Sequence, residues 1–326
     1  MKLVGGSVIS LIILFGGFLV LKGAENAQKA YESERWPEVE GVVADASTNV
    51  SRSRDSETDE VSLMYSAKLV FAYVLQGKEF TTENVAFGET MGSGDSSEAA
   101  VWKFRYPVGK RVRVRYEPGN PENAVVKPGM TTSLFWLPGA GLIVAFMGAM
   151  FLILFLSEGE AMGAGMRLFV VVFWLFGLPM LGMGAWRLWH AHASQNWPQA
   201  QGEIVYGQQD GQASVGTNLV FRYEAGGETR FSNIRRFGSL AASSQDWADE
   251  VAERYPMGKA VTVFVNPSDA DQGVLEPGIS QEAFYLPGAG LAFILFGLLV
   301  WFVGIPALTQ PIATAGKRKL KRTARA

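Results

Sequence analysis

Cysteine is absent from the 326 residues, and only two histidines occur. The first absence excludes disulfides, thiolate nucleophiles and Cys-ligated zinc or iron–sulfur centres. The second leaves His190 and His192, two positions apart in Trp189-His190-Ala191-His192. On a helix they point to different sides, and neither Cys nor a third His is present to complete a site. They are read as interfacial residues beside a tryptophan belt, and neither metal nor cofactor is expected. The chain has no HExxH, Walker A or GxGxxG fingerprint, and residues 23–132 hold no His for a Ser-His-Asp triad. Glu38 and Glu40 alternate with Val39 as on a solvated strand face, and an enzyme is not expected.

Charge is missing from four stretches: Leu3–Leu21, Ser133–Leu156, Leu168–Trp186 and Ala283–Leu308. Each reaches the ~20 apolar residues that cross a bilayer core. The first is read as an uncleaved anchor, since no A-x-A site follows it. The expected order is transmembrane helix 1 (1–22), β domain 1 (23–132), helix 2 (133–156), a cytoplasmic loop (157–167), helix 3 (168–189), β domain 2 (190–282), helix 4 (283–308) and a basic tail (309–326).

Lys317, Arg318, Lys319, Lys321 and Arg322 crowd behind the fourth span, so the positive-inside rule places both termini in the cytoplasm and both β domains outside. Charge agrees, with the exterior segments summing to −8 and the interior ones to +6. Neither exterior segment carries the basic surface that nucleic acid requires. The four charge-free stretches hold no Asp, Glu, Lys, Arg or His, which weighs against a pump or proton-coupled transporter. Trp136, Tyr285, Trp186 and Trp189 are placed at the membrane interface, with the tail cations near lipid head groups. Gly141, Ala145 and Ala149 form a small-residue packing stripe, which serves equally within the monomer or in a homo-oligomer.

The chain also repeats. WPEVEGVV (36–43) matches WPQAQGEIV (197–205), LVFAY (69–73) matches LVFRY (219–223), YPVGK (106–110) matches YPMGK (255–259), and FWLPGAGL (135–142) matches FYLPGAGL (284–291). The unit is span, domain, span, repeated in parallel. Strands are expected at 39–46, 67–75, 79–87, 110–116 and 123–126, with a type II turn at Glu117-Pro118-Gly119-Asn120. Helices are expected over 98–105, burying Trp102, and over 244–254, with Trp247 and Val251 facing the core. About five strands plus one helix predict a small closed barrel, OB- or SH3-like. The polar stretch 47–62 reads as a mobile loop or hairpin tip. Each LPGAGL reads as a helix start at its proline.

The string Trp-Pro-x-x-x-Gly, Phe-x-Tyr, Tyr-Pro-x-Gly, Tyr-x-Pro-x-Asn-Pro and Pro-Gly resembles the bacterial domain-of-unknown-function family 3592. Copy two departs from it at Val265, Asp269 and Ala270. The resemblance implies a membrane-anchored β domain and brings no activity.

The most pointed functional feature is Arg111, Arg113 and Arg115, three guanidiniums on one strand face. They are either an acidic-partner surface or cross-strand mates of Glu38, Glu40 or Glu83. The expected function is a non-enzymatic scaffold or accessory protein of the bacterial inner membrane, whose partners are the bilayer and an envelope protein. An immunity-type protein against a membrane-acting toxin and a subunit of a transport assembly are the alternatives.

Overall fold

The alternation at 111–117 makes a strand whose Val112 and Val114 are buried while Arg111 and Arg113 face solvent. Around it the chain, seen in a computed structural model, is described for residues 2–54, 61–89, 91–93, 96–156, 161–207, 219–238 and 245–304. It divides into an apolar unit (Met1–Leu21, Pro138–Met183, Leu286–Ala326) and a polar unit (Lys22–Leu137, Gly184–Tyr285).

The apolar unit takes its helices from α1 (Lys2–Ser33), α3 (Trp136–Leu156), α4 (Ala161–Ala193) and α6 (Tyr285–Leu299, followed by a π turn at Val300–Gly304). Among the described residues four helices are long and apolar enough to cross a membrane. Glycines let them approach in pairs. A Cβ on Gly141 of α3 would lie 2.7 Å from the Gly16 carbonyl of α1, and one on Gly290 of α6 equally close to the Gly177 carbonyl of α4. Gly148 meets Ile13 in the same way, continuing the α3 contact. Thus the face carrying Gly141 and Ala145 is taken up by α1 within the chain, and Ala149 is half-buried.

Helix limits differ from expectation at several ends. α3 and α6 begin at Trp136 and Tyr285, each after a short 3-10 turn, so Pro138 and Pro287 stand third rather than first. The first four N–H groups of a helix are unpaired, so proline costs little there. α4 starts at Ala161, inside the expected loop, because Ala161 to Met166 are mostly good helix formers. α1 runs on to Ser33, its polar turns joined by Lys22–Glu25 and Lys29–Glu25 pairs at 2.7 Å. The basic tail, and with it Lys317, Arg318, Lys319, Lys321 and Arg322, lies outside the described residues.

In the polar unit the first copy contains β1 (Glu38–Arg54), β2 (Val61–Leu75), β3 (Lys78–Thr82), β4 (Gly92–Ser93), α2 (Ser96–Arg105), β5 (Arg111–Glu117) and β6 (Asn120–Val125). The second contains β7 (Gln199–Tyr206), β8 (Val220–Ala225), β9 (Glu228–Ser232), α5 (Gln245–Arg254), β10 (Ala260–Val265) and β11 (Gly273–Val274). Both sheets are antiparallel with one order, β3-β2-β1-β5-β6 and β9-β8-β7-β10-β11, and β4 adds to β2. The outer strands approach each other beyond the ladder. Lys127 N–H donates to Val85 O at 2.7 Å, and Glu276 N–H to Arg235 O at 2.9 Å.

The shared motif has physical reasons. Gly41 and Gly202 sit where strands crowd, since a Cβ would lie 2.9 Å from Ala72 O in one copy and 2.6 Å from Arg222 O in the other. Gly109 and Gly258, at φ 85° and 81°, close the Tyr-Pro-x-Gly turns. Phe71, Tyr73, Val112 and Val114 centre one core, and Phe221, Tyr223, Val261 and Val263 the other. The tyrosine hydroxyls donate to Pro121 O and Ala270 O respectively.

Of the two readings of the polar stretch 47–62 the hairpin holds, and it is longer than expected, paired from Ser47↔Lys68 to Arg54↔Val61, with 55–60 outside the described residues. Backbone pairing, which needs no apolar core, holds it. Two expectations change. Trp102 is only half-buried, stacked on Tyr106 at 6.2 Å, while Ala99, Ala100 and Val101 are buried. Gly119 lacks the positive φ of a type II turn, and a bulge between Tyr116 and Glu117 adjusts the hairpin instead. Val251 is buried as expected; the side chain of Trp247 lies outside the described residues.

Candidate functional site

The arginine row stands on the outward face of β5, opposite β1 in the register Glu38↔Arg115, Glu40↔Arg113, Val42↔Arg111. Arg113 and Arg115 share Glu38 at 3.5 Å each, and Arg115 also donates to Glu34 O. Arg113 remains 81% exposed. Arg111 borders a recess of about 350 Å³ with Glu40, Tyr73 and Glu79. Glu83 pairs elsewhere, with Lys68 at 3.9 Å. One end of the row is therefore structural, and Arg111 and Arg113 face solvent.

A second site was not legible from the motifs: the two copies are joined through α2. Ala100, Val101 and Phe104 form an apolar stripe that packs on Val220, Val205, Tyr206 and Phe231 of copy two. The Phe104 and Phe231 rings stack at 5.3 Å. Around them Arg105 donates to Phe231 O at 3.0 Å and Asp271 O at 3.3 Å, Asn233 to Ser97 at 3.0 Å, and Tyr206 to Ser96 at 3.1 Å.

Asp271 is the electrostatic centre of the joint. Its carboxylate takes Arg230 at 2.8 Å, Lys127 at 3.7 Å and Arg105 at 3.9 Å. Burial pushes its pKa up, but Arg105, the Arg230 hydrogen bond and Lys127 outweigh burial and hold it below the usual aspartate range. At copy two's own helix, Glu276 likewise gathers Arg235 at 3.0 Å, Arg236 and Tyr255 at 2.8 Å. Burial and this hydrogen bond push the Tyr255 phenol up to about 12.

Beside the joint lies an open trough of about 550 Å³, walled by β1 (Ala46, Thr48, Val50), β2 (Tyr65), α2 (Ser96, Ala100, Lys103, Phe104), Pro107–Val108 and Tyr206. Burial pushes the Tyr65 phenol up.

The same construction thus appears twice, and sequence comparison agrees. The family profile described as "Domain of unknown function (DUF3592)" matches residues 39–131 and 200–280, more than half of the chain. The chain belongs to the DUF3592 family. No curated protein and no solved structure matches it.

Its two DUF3592 domains share their seat on the preceding helix. Ser33 Oγ donates to Ala30 O at 2.6 Å and accepts Gly129 N–H at 3.0 Å; Ser194 Oγ donates to Ala191 O at 2.7 Å and accepts Gly278 N–H at 3.1 Å. Trp36 meets Phe87 edge-on at 5.7 Å, and Trp197 meets Phe237 at 5.6 Å. The closing Pro-Gly of the motif is therefore a latch to the helix end.

The copies differ where α2 docks. Ala100, Val101 and Phe104 correspond, in the repeat, to Asp249, Glu250 and Glu253 of α5, and Glu250 and Glu253 are exposed. An acidic helix face cannot dock on an apolar one, so the joint is formed in one direction and ends there. Asp271 belongs to the turn where copy two leaves the motif, and this divergence builds the joint.

The histidines also separate. His192 is exposed, but His190 is buried among Trp186, Trp189 and Phe237, its Nδ1 3.0 Å from Trp186 O. The expected interface residues Trp136, Tyr285, Trp186 and Trp189 are all exposed on their helices. Among the described residues no group of three His, Cys, Asp or Glu is placed to hold a metal.

Proposed function

We propose that this is a multi-pass protein of the bacterial inner membrane that holds two DUF3592 domains on the extracytoplasmic side as one binding body, without catalysis of its own. The observation that carries the reading is the one-way joint through α2, which fuses two inherited domains into one surface instead of leaving two independent modules. Each curved sheet, with its outer strands drawn together, fits a small OB- or SH3-like barrel. The charge asymmetry of the sequence favours both termini in the cytoplasm. Arg111 and Arg113 offer an envelope protein partner two exposed guanidiniums on a rigid strand.

The test is a photo-crosslinking amino acid at Glu79, across the recess from Arg111, in intact membranes. The reading expects a discrete protein adduct that disappears when Arg111, Arg113 and Arg115 are all changed to Ala. An adduct that persists in that variant would contradict a partner surface there. Reporter fusions at Glu160 and after Ala326 must both report cytoplasm.

A further inference from the structure

The trough between the long hairpin and α2 combines features that the joint alone does not require. Its walls at Ala46, Val50, Ala100, Phe104 and Val108 are apolar, and its volume of about 550 Å³ falls within the roughly 300–1,000 Å³ of small-molecule sites. Among the described residues no carboxylate lines it. Its single charged lining group, Lys103, makes no ion pair among the described residues, and Arg52 acts on Tyr65 from the same hairpin. Tyr65 has no hydrogen-bond partner among the described residues, whereas Tyr206 and Ser96 bond each other.

We propose that this trough binds a single-chain anionic amphiphile, a long-chain carboxylate whose acyl chain lies along the hairpin face and whose head meets Lys103. The charge selects the sign of the ligand, since the one charged lining group among the described residues is a lysine beside apolar walls. The apolar walls suit an acyl chain, which brings no backbone N–H or C=O that must be satisfied. The wall that α2 supplies is not repeated in the sequence of copy two. At the equivalent places copy two has Asp249 for Ala100, Ala252 for Lys103 and Glu253 for Phe104. The assignment gives the binding body a ligand class and so rests on the binding reading above.

The probe is a diazirine-bearing hexadecanoate, photoactivated on the full-length protein in lipid nanodiscs, with labelled peptides mapped by mass spectrometry. Label is expected on the peptides carrying Ala46–Val50 and Ala100–Val108, competed by unlabelled hexadecanoate. Val50→Trp, at an exposed wall position outside the joint, should cut that label about tenfold. Lys103→Glu, at an exposed position that leaves packing intact, should cut it about fivefold. Label on the apolar helices α1 and α6 should not change. Label confined to those helices, or trough label insensitive to both substitutions, would overturn the proposal. So would equal competition by acetate, which marks a plain anion site, or by an acidic peptide. The Glu79 crosslink is read separately, so loss of one signal does not mask the other.

Discussion

Asp271→Asn should loosen the union of the two domains. The substitution keeps the shape and removes the charge to which Arg230, Lys127 and Arg105 are drawn at 2.8, 3.7 and 3.9 Å. The side chain is three-quarters buried, so the short Arg230 bond counts as charge-assisted, roughly 1.5–3 kcal/mol, of which a neutral amide retains a part. The two longer pairs add a few tenths each. Two guanidiniums would then face each other with their shared counter-charge gone, and the total loss comes to about 2 kcal/mol. For a folded unit of this size 1 kcal/mol moves Tm by roughly 2–4 °C, so a drop of about 4–8 °C is expected. Glu250→Gln is the control. Its pair with Arg254 is also 2.8 Å long, but both partners are more than half exposed, and a shift within about 1 °C is expected. Thermal unfolding followed by tryptophan fluorescence gives the magnitude, and amide exchange in α2 and β9 gives the place. Equal shifts for the two variants, or unchanged exchange in α2, would refute the reasoning.

Other consequences follow from the same contacts. Because the folded pKa of Asp271 is lowered, its contribution is complete above the unfolded value of about 3.9 and is lost as pH falls from there through the lower folded value; exchange protection of α2 should therefore be unchanged between about pH 7 and about pH 5 and decline only below the usual aspartate range. Ser33→Ala strips the buried Gly129 N–H of its acceptor and should cost about 1–3 kcal/mol in thermal unfolding, whereas Ser194→Ala should cost less, since the Gly278 N–H also donates to Ala191 O at 3.1 Å. Gly141→Leu places a side chain against the Gly16 carbonyl and should separate α1 from α3, read as loss of a crosslink between cysteines introduced on those helices. Spectrophotometric titration should show Tyr106 ionising near 12 rather than 10, since burial pushes its phenol up.

Period and punctuation carried much of this fold. Alternation placed Val112 and Val114 inside and Arg111 and Arg113 outside, and the duplicated Trp-Pro, Tyr-Pro and Pro-Gly punctuation located both domains. The length of the hairpin was hidden because Ser47–Arg54 offers few apolar side chains, and ladder bonds are made by backbone that composition does not report. The burial of His190 was not legible because Phe237, which packs on it, lies far away in sequence. The joint was the least visible feature, although its signal was present. Ala100, Val101 and Phe104 are apolar where the other copy has Asp249, Glu250 and Glu253, and a helix with an extra apolar stripe needs a second surface to cover it. Comparing the copies for their differences, as well as their identities, would have pointed to α2.

The central claim is that two DUF3592 domains form one body through α2. A chain with no cysteine of its own allows a direct measurement. Ser97→Cys and Asn233→Cys together place thiols where the side chains now bond at 3.0 Å across the joint. In membranes under mild oxidation the account predicts a disulfide that still links the two domains after proteolysis between them, absent from either single variant. Two free thiols in a protein that otherwise unfolds like the wild type would contradict it.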